Sequence, residues 1–233
     1  MCSHYKVPES LLFAKFWNLR LPEGTRDDRD LWPGYQGAFI RRPPERDSGD
    51  EAVPAVEALS GTFGLLPWWS KDASLAKRTY NARSETVAEK PSFRDAWKRA
   101  QHCIIPAASF YEPDWRSGKA VPTRFTAPDG GPIGIAGLWE RWKTPAGIVH
   151  SYTMLTVNAD DHPLLRDYHK PQDEKRMVVV LPPAQYEAWL DAPVNESMEF
   201  MRQYPHDQLI ATPEPAEPKP KPPRAKPVQG HLL

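Results

Sequence analysis

The sequence predicts one α+β domain followed by a proline-rich tail, on three observations. Apolar runs of strand length alternate with turn-forming residues through the second half of the chain, giving a β-meander: Val121 to Ala127, Pro132 to Trp142 and Ile148 to Val157, separated by Pro128-Asp129-Gly130-Gly131 and by Thr144 to Gly147. Helical periodicity is confined to a few short segments. The chain has 233 residues, 40% of them hydrophobic and nine of them Trp, which is enough for one sizeable core. From Thr212 onward it is Pro, Lys, Glu and Ala, with almost nothing to bury. The predicted organisation is therefore a domain over residues 1–211 and a disordered tail over 212–233.

In chain order, Glu9 to Leu19 places Leu12, Phe16 and Leu19 on one helical face, with Phe13 and Trp17 beside it. Leu21 to Leu31 is charged and loop-like. Tyr35 to Ile40 is a strand, ended by Arg41-Arg42-Pro43-Pro44, and Arg46 to Ala52 is an exposed polar loop. Thr62 to Trp69 starts as a strand and is broken by Pro67 before two exposed tryptophans. Ser92 to Ala100 is the clearest helix: Phe93, Ala96, Trp97 and Ala100 share a face, and Ser92 can cap it with Asp95 at N3. Cys103 to Glu112 reads as one continuing strand, and Met177 to Leu181 as a buried one. Pro182-Pro183 opens a helix through Leu190 with Tyr186, Trp189 and Leu190 inward. Asn195 can cap a last helix to about Gln203. There is no internal repeat.

Composition excludes several functions. Lys+Arg and Asp+Glu both number 30, so no global basic field advertises nucleic acid, and any polyanion site is a local patch. Two cysteines, Cys2 and Cys103, make neither a disulfide framework nor a Cys-rich zinc site. No apolar run reaches a membrane-spanning length, and the N-terminus lacks a signal-peptide core. A soluble, cytoplasmic protein with no membrane partner is expected.

The stretch with unusual chemistry is Met1-Cys2-Ser3-His4-Tyr5. Removal of Met1 would leave an α-amine and a thiol on adjacent carbons, with reference pKa values of about 7.7–8.0 and about 8.5. An aldehyde can condense with such a pair to an imine and close a five-membered thiazolidine ring. An isolated Met-Cys start is more commonly an ordinary buried cysteine, so the remaining candidates decide its meaning. Asn81-Ala82-Arg83-Ser84-Glu85-Thr86 is the densest polar hexapeptide of the domain, offering an amide and a planar guanidinium fork suited to phosphate; taken alone, a capped loop with a solvated charge pair is the commoner account of such a run. Glu112, beside Phe110 and Tyr111, is a carboxylate whose aromatic surroundings raise its pKa toward proton-transfer range, unless it points to water. His169, in the polar loop before Met177, is a candidate acid/base, with His162 as its competitor, though a lone loop histidine is more often simply solvated. Trp68 and Trp69 near Lys71, Lys77, Arg78 and Arg83 interleave aromatics with cations, as single-strand binders do; a core tryptophan and a solvated face are the plainer account.

Cys2, Gly-Leu-Leu-Pro-Trp-Trp followed by Lys71-Asp72, Asn-Ala-Arg-Ser-Glu-Thr, Phe110-Tyr111-Glu112, and a histidine shortly before Arg176-Met177 occur in that order over Met1 to Leu190. This resembles the SRAP family of abasic site processing proteins. The resemblance implies a compact α+β domain around a curved, barrel-like β-structure, with flanking helices. It implies a protein that binds single-stranded DNA and cross-links to abasic sites through Cys2 after self-removal of Met1. Asn81 would hold the Cys2 amine, Glu112 would shuttle protons and His169 would assist opening of the deoxyribose. Arg83, Trp68, Trp69, Lys71, Arg78 and Arg176 would contact DNA. No cofactor or metal is implied, and the expected state is a monomer, associated with the nucleoid in a bacterium. The chain departs from the family pattern in Ser3-His4, where Gly-Arg is usual, and in five extra residues between His169 and Arg176. The rival functions are an N-terminal-nucleophile cysteine peptidase and a non-covalent single-stranded nucleic-acid module.

Overall fold

The computed structural model describes residues 2–25 and 29–215. Met1, residues 26–28 within the Leu21 to Leu31 segment, and the tail beyond residue 215 lie outside the described residues. The elements are, in order, β1 (Tyr5–Lys6), α1 (Ser10–Trp17), β2 (Asp30–Leu31), β3 (Gln36–Arg41), β4 (Glu57–Phe63), β5 (Asn81–Arg83), α2 (Arg94–Lys98), β6 (His102–Ala107), β7 (Ser109–Asp114), β8 (Val121–Thr126), β9 (Ile133–Thr144), β10 (Gly147–Asn158), β11 (Arg176–Val178), β12 (Val180–Leu181), α3 (Tyr186–Asp191) and β13 (Ile210–Pro213).

Strands β10, β4, β3, β6 and β9 pair in sequence, and β9 pairs back onto β10, so five strands close a barrel. The expected α+β class and barrel-like core are therefore present. β10 is the strand on which the most partners converge. Its Gly147–Met154 part lies against β9, and where β9 diverges β11 takes over that edge at Thr156–Asn158. On its other edge β4 pairs at Ser151–Tyr152 and β5 continues at Met154–Thr156. A second, five-stranded sheet runs β13-β8-β7-β1-β2.

The two sheets meet at Tyr5. It pairs with Phe110 in the second sheet, yet its ring is fully buried in the barrel, edge-on to Phe63 at 5.3 Å. Its hydroxyl bonds that of Tyr152, on β10, at 2.5 Å. Gly37 makes the space: a Cβ there would lie 2.2 Å from the Tyr152 hydroxyl and 2.6 Å from that of Tyr5.

Several elements differ from the sequence expectation. The run Cys103 to Glu112 is two strands, β6 in the barrel and β7 in the second sheet, because the chain changes sheet at Ala108, whose N–H bonds Lys6. Met177 to Leu181 likewise divides at Val179, which bridges Leu155 of β10 and Ala136 of β9 where those strands separate. Ser92 caps nothing: α2 is a short helix starting at Arg94, with no side-chain cap. Asn195 opens no helix, only a single 3-10 turn at Ser197–Phe200. α1 buries Phe13 rather than the expected stripe, leaving Leu12 and Phe16 partly exposed. Strand β4 begins at Glu57, five residues before the apolar run, because its polar half is paired residue by residue to β3. Thr212 and Pro213, placed in the tail by composition, pair with Arg124 and Thr123 of β8, and Glu214 forms an ion pair with Arg124.

Gly37→Ala forces the two tyrosines apart and should cost about 3 kcal/mol. Urea unfolding checks this, with a clearly lowered midpoint expected. Burial raises Tyr5, Tyr152 and Cys103 above their ordinary pKa values and pushes the Cys2 thiol up to about 12. In the unfolded chain these groups ionise from about pH 8.5 to 10. Because the folded protein holds their protons longer, the stability they contribute is fully present below about pH 8.5 and is lost as pH rises beyond it. A melting-temperature series should be flat to about pH 8.5 and fall above it; a rise there would contradict these buried positions.

Candidate active site

The N-terminal segment is held in place from three directions. Tyr5 anchors it in the barrel. The backbone N–H of Tyr111 donates to the His4 carbonyl at 3.0 Å and that of Ala108 to the Lys6 carbonyl at 2.8 Å. The His4 ring is stacked between Trp32, at 4.1 Å, and Tyr111, at 3.9 Å, and its Nε2 meets Asp30 Oδ1 at 2.7 Å. Cys2 is thereby fixed in a fully buried position.

The Asn81 Nδ2 donates to the Cys2 carbonyl at 2.9 Å and to the Tyr80 carbonyl at 2.7 Å. Its Oδ1 is buried without a partner among the described residues. Asn81 reaches Cys2 because the chain leaves β4 at Gly64 and rejoins β10 at β5. Gly64 has φ +120°, and a Cβ there would lie 2.1 Å from the Ala76 carbonyl oxygen, so only glycine serves. The N–H of Leu65 and the hydroxyl of Thr79 close the base of this excursion, and the Trp68-Trp69 turn lies within it. The hexapeptide expected as a loop thus begins as a strand, carrying Asn81 and Arg83 on β10.

Glu112 follows Tyr111 on β7 and is almost fully buried. His169 Nε2 lies 2.7 Å from its Oε2. The loop bearing His169 is pinned to the same strand: Tyr168 bridges Asp114, and the His169 N–H donates to the Pro113 carbonyl at 2.8 Å. His169 has φ +67°, a left-handed conformation uncommon for a non-glycine residue and frequent at functional sites. His162 is used differently: its Nε2 faces the Tyr204 carbonyl and its Nδ1 accepts from the N–H groups of Leu164 and Leu165.

Burial is the main cause of the high Cys2 thiol pKa, and the nearby Glu112 charge adds to it; backbone hydrogen bonding at His4 and the N-terminal charge act the other way. The thiol is therefore neutral near pH 7. Its Sγ donates to the His4 carbonyl at 3.4 Å. Four residues from four separate parts of the sequence, Cys2, Asn81, Glu112 and His169, are brought together.

Beside them, Arg83, His169, Gln172, Asp173, Glu174 and Arg176 line a cavity of about 330 Å³. Arg83 faces solvent and pairs with Glu174 at 2.6 Å. Arg176, expected at the DNA surface, is instead buried. Its Nη1 and Nη2 bond both Glu85 oxygens at 2.9 Å, and Nη2 also donates to the Thr156 carbonyl at 2.7 Å. Held through both terminal nitrogens, the guanidinium forms part of the cavity wall. Trp68 is 66% exposed, donates to Asp95, and lines a different groove with Arg99, Arg141 and Lys143. Trp69, Lys71 and Arg78 are exposed on the same excursion. Composition gave no sign of Glu174 or of the Trp32–His4–Tyr111 stack, since both depend on partners remote in sequence.

The SOS response associated peptidase (SRAP) family matches residues 1–215. Abasic site processing protein YoqW of Bacillus subtilis is 35% identical over 143 residues, covering 60% of this chain and 59% of that protein. Abasic site processing protein HMCES of Gallus gallus is 25% identical over 166 residues, covering 60% of this chain and 48% of that protein. The match thus spans about three fifths or less of these curated relatives. Among solved structures, a Bordetella bronchiseptica protein is 48% identical with a TM-score of 0.81, covering 92% of this chain and 100% of that one. A Bacteroides thetaiotaomicron protein, 19% identical with a TM-score of 0.70, shares the fold. With the family matched over nearly the whole chain, and with the barrel and the gathered Cys2, Asn81, Glu112 and His169 beneath it, this protein belongs to the SOS response associated peptidase (SRAP) family.

Proposed function

We propose that this protein processes abasic sites in single-stranded DNA, capturing the ring-opened sugar aldehyde covalently on Cys2 once Met1 has been removed. The observation that carries the reading is the meeting of Cys2 with Asn81 at 2.9 Å beside the Glu112–His169 contact at 2.7 Å. The abasic site processing proteins among its relatives support it.

The chemistry divides between the two nucleophiles of Cys2. The freed α-amine attacks the aldehyde carbon, and the resulting carbinolamine loses one water to give an imine. The thiol then adds to the imine carbon and its proton passes to the nitrogen, closing the thiazolidine. One water is released overall, and no oxidant or reductant is needed. Asn81 Oδ1, a buried acceptor without a partner among the described residues, is suited to orient the amine. Glu112 and His169, in contact, are suited to deliver a proton to the departing hydroxyl and to receive one during sugar opening. Arg83 supplies a planar fork for a strand phosphate.

What separates this reading from a cysteine peptidase is which nucleophile of Cys2 acts first. Acyl transfer by cysteine requires a thiolate, whereas imine formation begins at the amine and uses the thiol only in the second step. The Glu112 charge that opposes a thiolate does not oppose an uncharged amine.

Cys2→Ala should abolish the covalent band formed with an abasic oligonucleotide on a denaturing gel while retaining most non-covalent binding, and intact-mass measurement of the purified protein should find Met1 missing. A persistent band in the variant would sink the assignment. Arg83→Ala should weaken binding to every single-stranded sequence alike and flatten its salt dependence by about one phosphate contact. Titrations of several sequences at two salt concentrations check this; a loss confined to one sequence would make Arg83 a base reader.

A further inference from the structure

The five extra residues between His169 and Arg176 form a fixed loop that places a carboxylate on Arg83. Lys175, largely buried, folds its ammonium back to donate to the carbonyls of Lys170, Pro171 and Asp173, and its backbone N–H donates to Asp160 at 2.8 Å. Glu174, next to it, divides its oxygens. Oε1 accepts from Arg176 Nη1 at 2.7 Å and from Asn158 Nδ2 at 3.1 Å, while Oε2 accepts from Arg83 Nη1 at 2.6 Å. Since Arg176 is buried and held by Glu85 and Thr156, Glu174 is anchored from the interior and cannot swing away as an ordinary surface glutamate does.

A carboxylate oxygen on a guanidinium N–H occupies the place that a phosphate oxygen would take. We propose that Glu174 is a specificity-determining residue: a fixed anion that competes with the strand phosphate for Arg83 and keeps non-covalent affinity for undamaged single strands low. Retention on DNA then depends on the aldehyde chemistry at Cys2 rather than on backbone charge, which every strand shares. Discrimination of this kind works by repelling the wrong partner as well as by attracting the right one. The inference rests on the reading of Arg83 as a phosphate contact.

The test uses the full chain and a fluorescent single-stranded oligonucleotide without an abasic site, titrated at two salt concentrations. Glu174→Gln keeps an acceptor for Arg176 and Asn158 while removing the charge. It should bind about three- to fivefold tighter than wild type, as expected for release of a partly exposed ion pair, with a steeper salt dependence. The gain should vanish when Glu174→Gln is combined with Arg83→Ala. Asp173→Asn removes a neighbouring charge from the same cavity and should change affinity little. In a competition between abasic and excess undamaged strands, Glu174→Gln should cross-link a smaller fraction of the abasic strand. Weaker or unchanged binding by Glu174→Gln, a gain that persists without Arg83, or an equal gain from Asp173→Asn overturns the proposal. If Arg83→Ala alone leaves binding unaltered, the phosphate reading of Arg83 fails and the proposal falls with it. If Glu174→Gln alone misbehaves, Arg83 stands and Glu174 is an orienting group.

Discussion

The register of β10 is the constraint on which this structure depends. One strand holds β9 and β11 on one edge and β4 and β5 on the other. Side chains alternate faces along a strand, so a slip of one residue would turn Tyr152 out of the barrel and move Arg83 off the position opposite Thr156. The barrel core and the candidate site are thus set by the same hydrogen-bond ladder. Asn81 sits at the first rung of β5, opposite Met154, which is why its amide reaches the carbonyl of Cys2.

The second requirement is that a nearly unstructured N-terminus be held to side-chain precision. β1 is only two residues long, and a backbone ladder that short would not immobilise it. Tyr5 supplies a buried aromatic anchor downstream of Cys2, and the stacked His4 ring supplies a clamp beside it. Aromatic pairs contribute about 0.5–1.5 kcal/mol beyond area burial, so the stack on both faces of His4 is a substantial part of what orders this segment. In the SRAP pattern an arginine is usual at this position. Here the histidine is engaged with Trp32, Tyr111 and Asp30, leaving it poorly placed to contact a ligand.

Charge is distributed to match. The chain has no net charge, yet at the site it separates a buried acid, Glu112, from an outer chain of alternating charges: Arg83, Glu174, Arg176 and Glu85. The inner group raises the thiol pKa, and the outer chain fixes the wall of the cavity. Arg176 closes this chain from the inside: it is buried, with Nη1 and Nη2 turned to Glu85, Glu174 and Thr156.

Much of this was legible in the sequence. The meander strands and the Trp68-Trp69 turn follow from local patterning, because strand alternation and turn chemistry are properties of neighbouring residues, whereas the grouping of Cys2, Asn81, Arg83, Glu112 and His169 was implied by the resemblance of the ordered motifs to the SRAP family. The tertiary structure alone decided where strands change partners, as at Ala108 and Val179, since sheet membership depends on hydrogen bonds to residues far away in sequence. It also decided that His169 rather than His162 meets Glu112, that Ser92 and Asn195 open no helix, and that Arg176 turns inward. Each of these outcomes is a competition between local preference and a distant partner, and composition and spacing describe only the first.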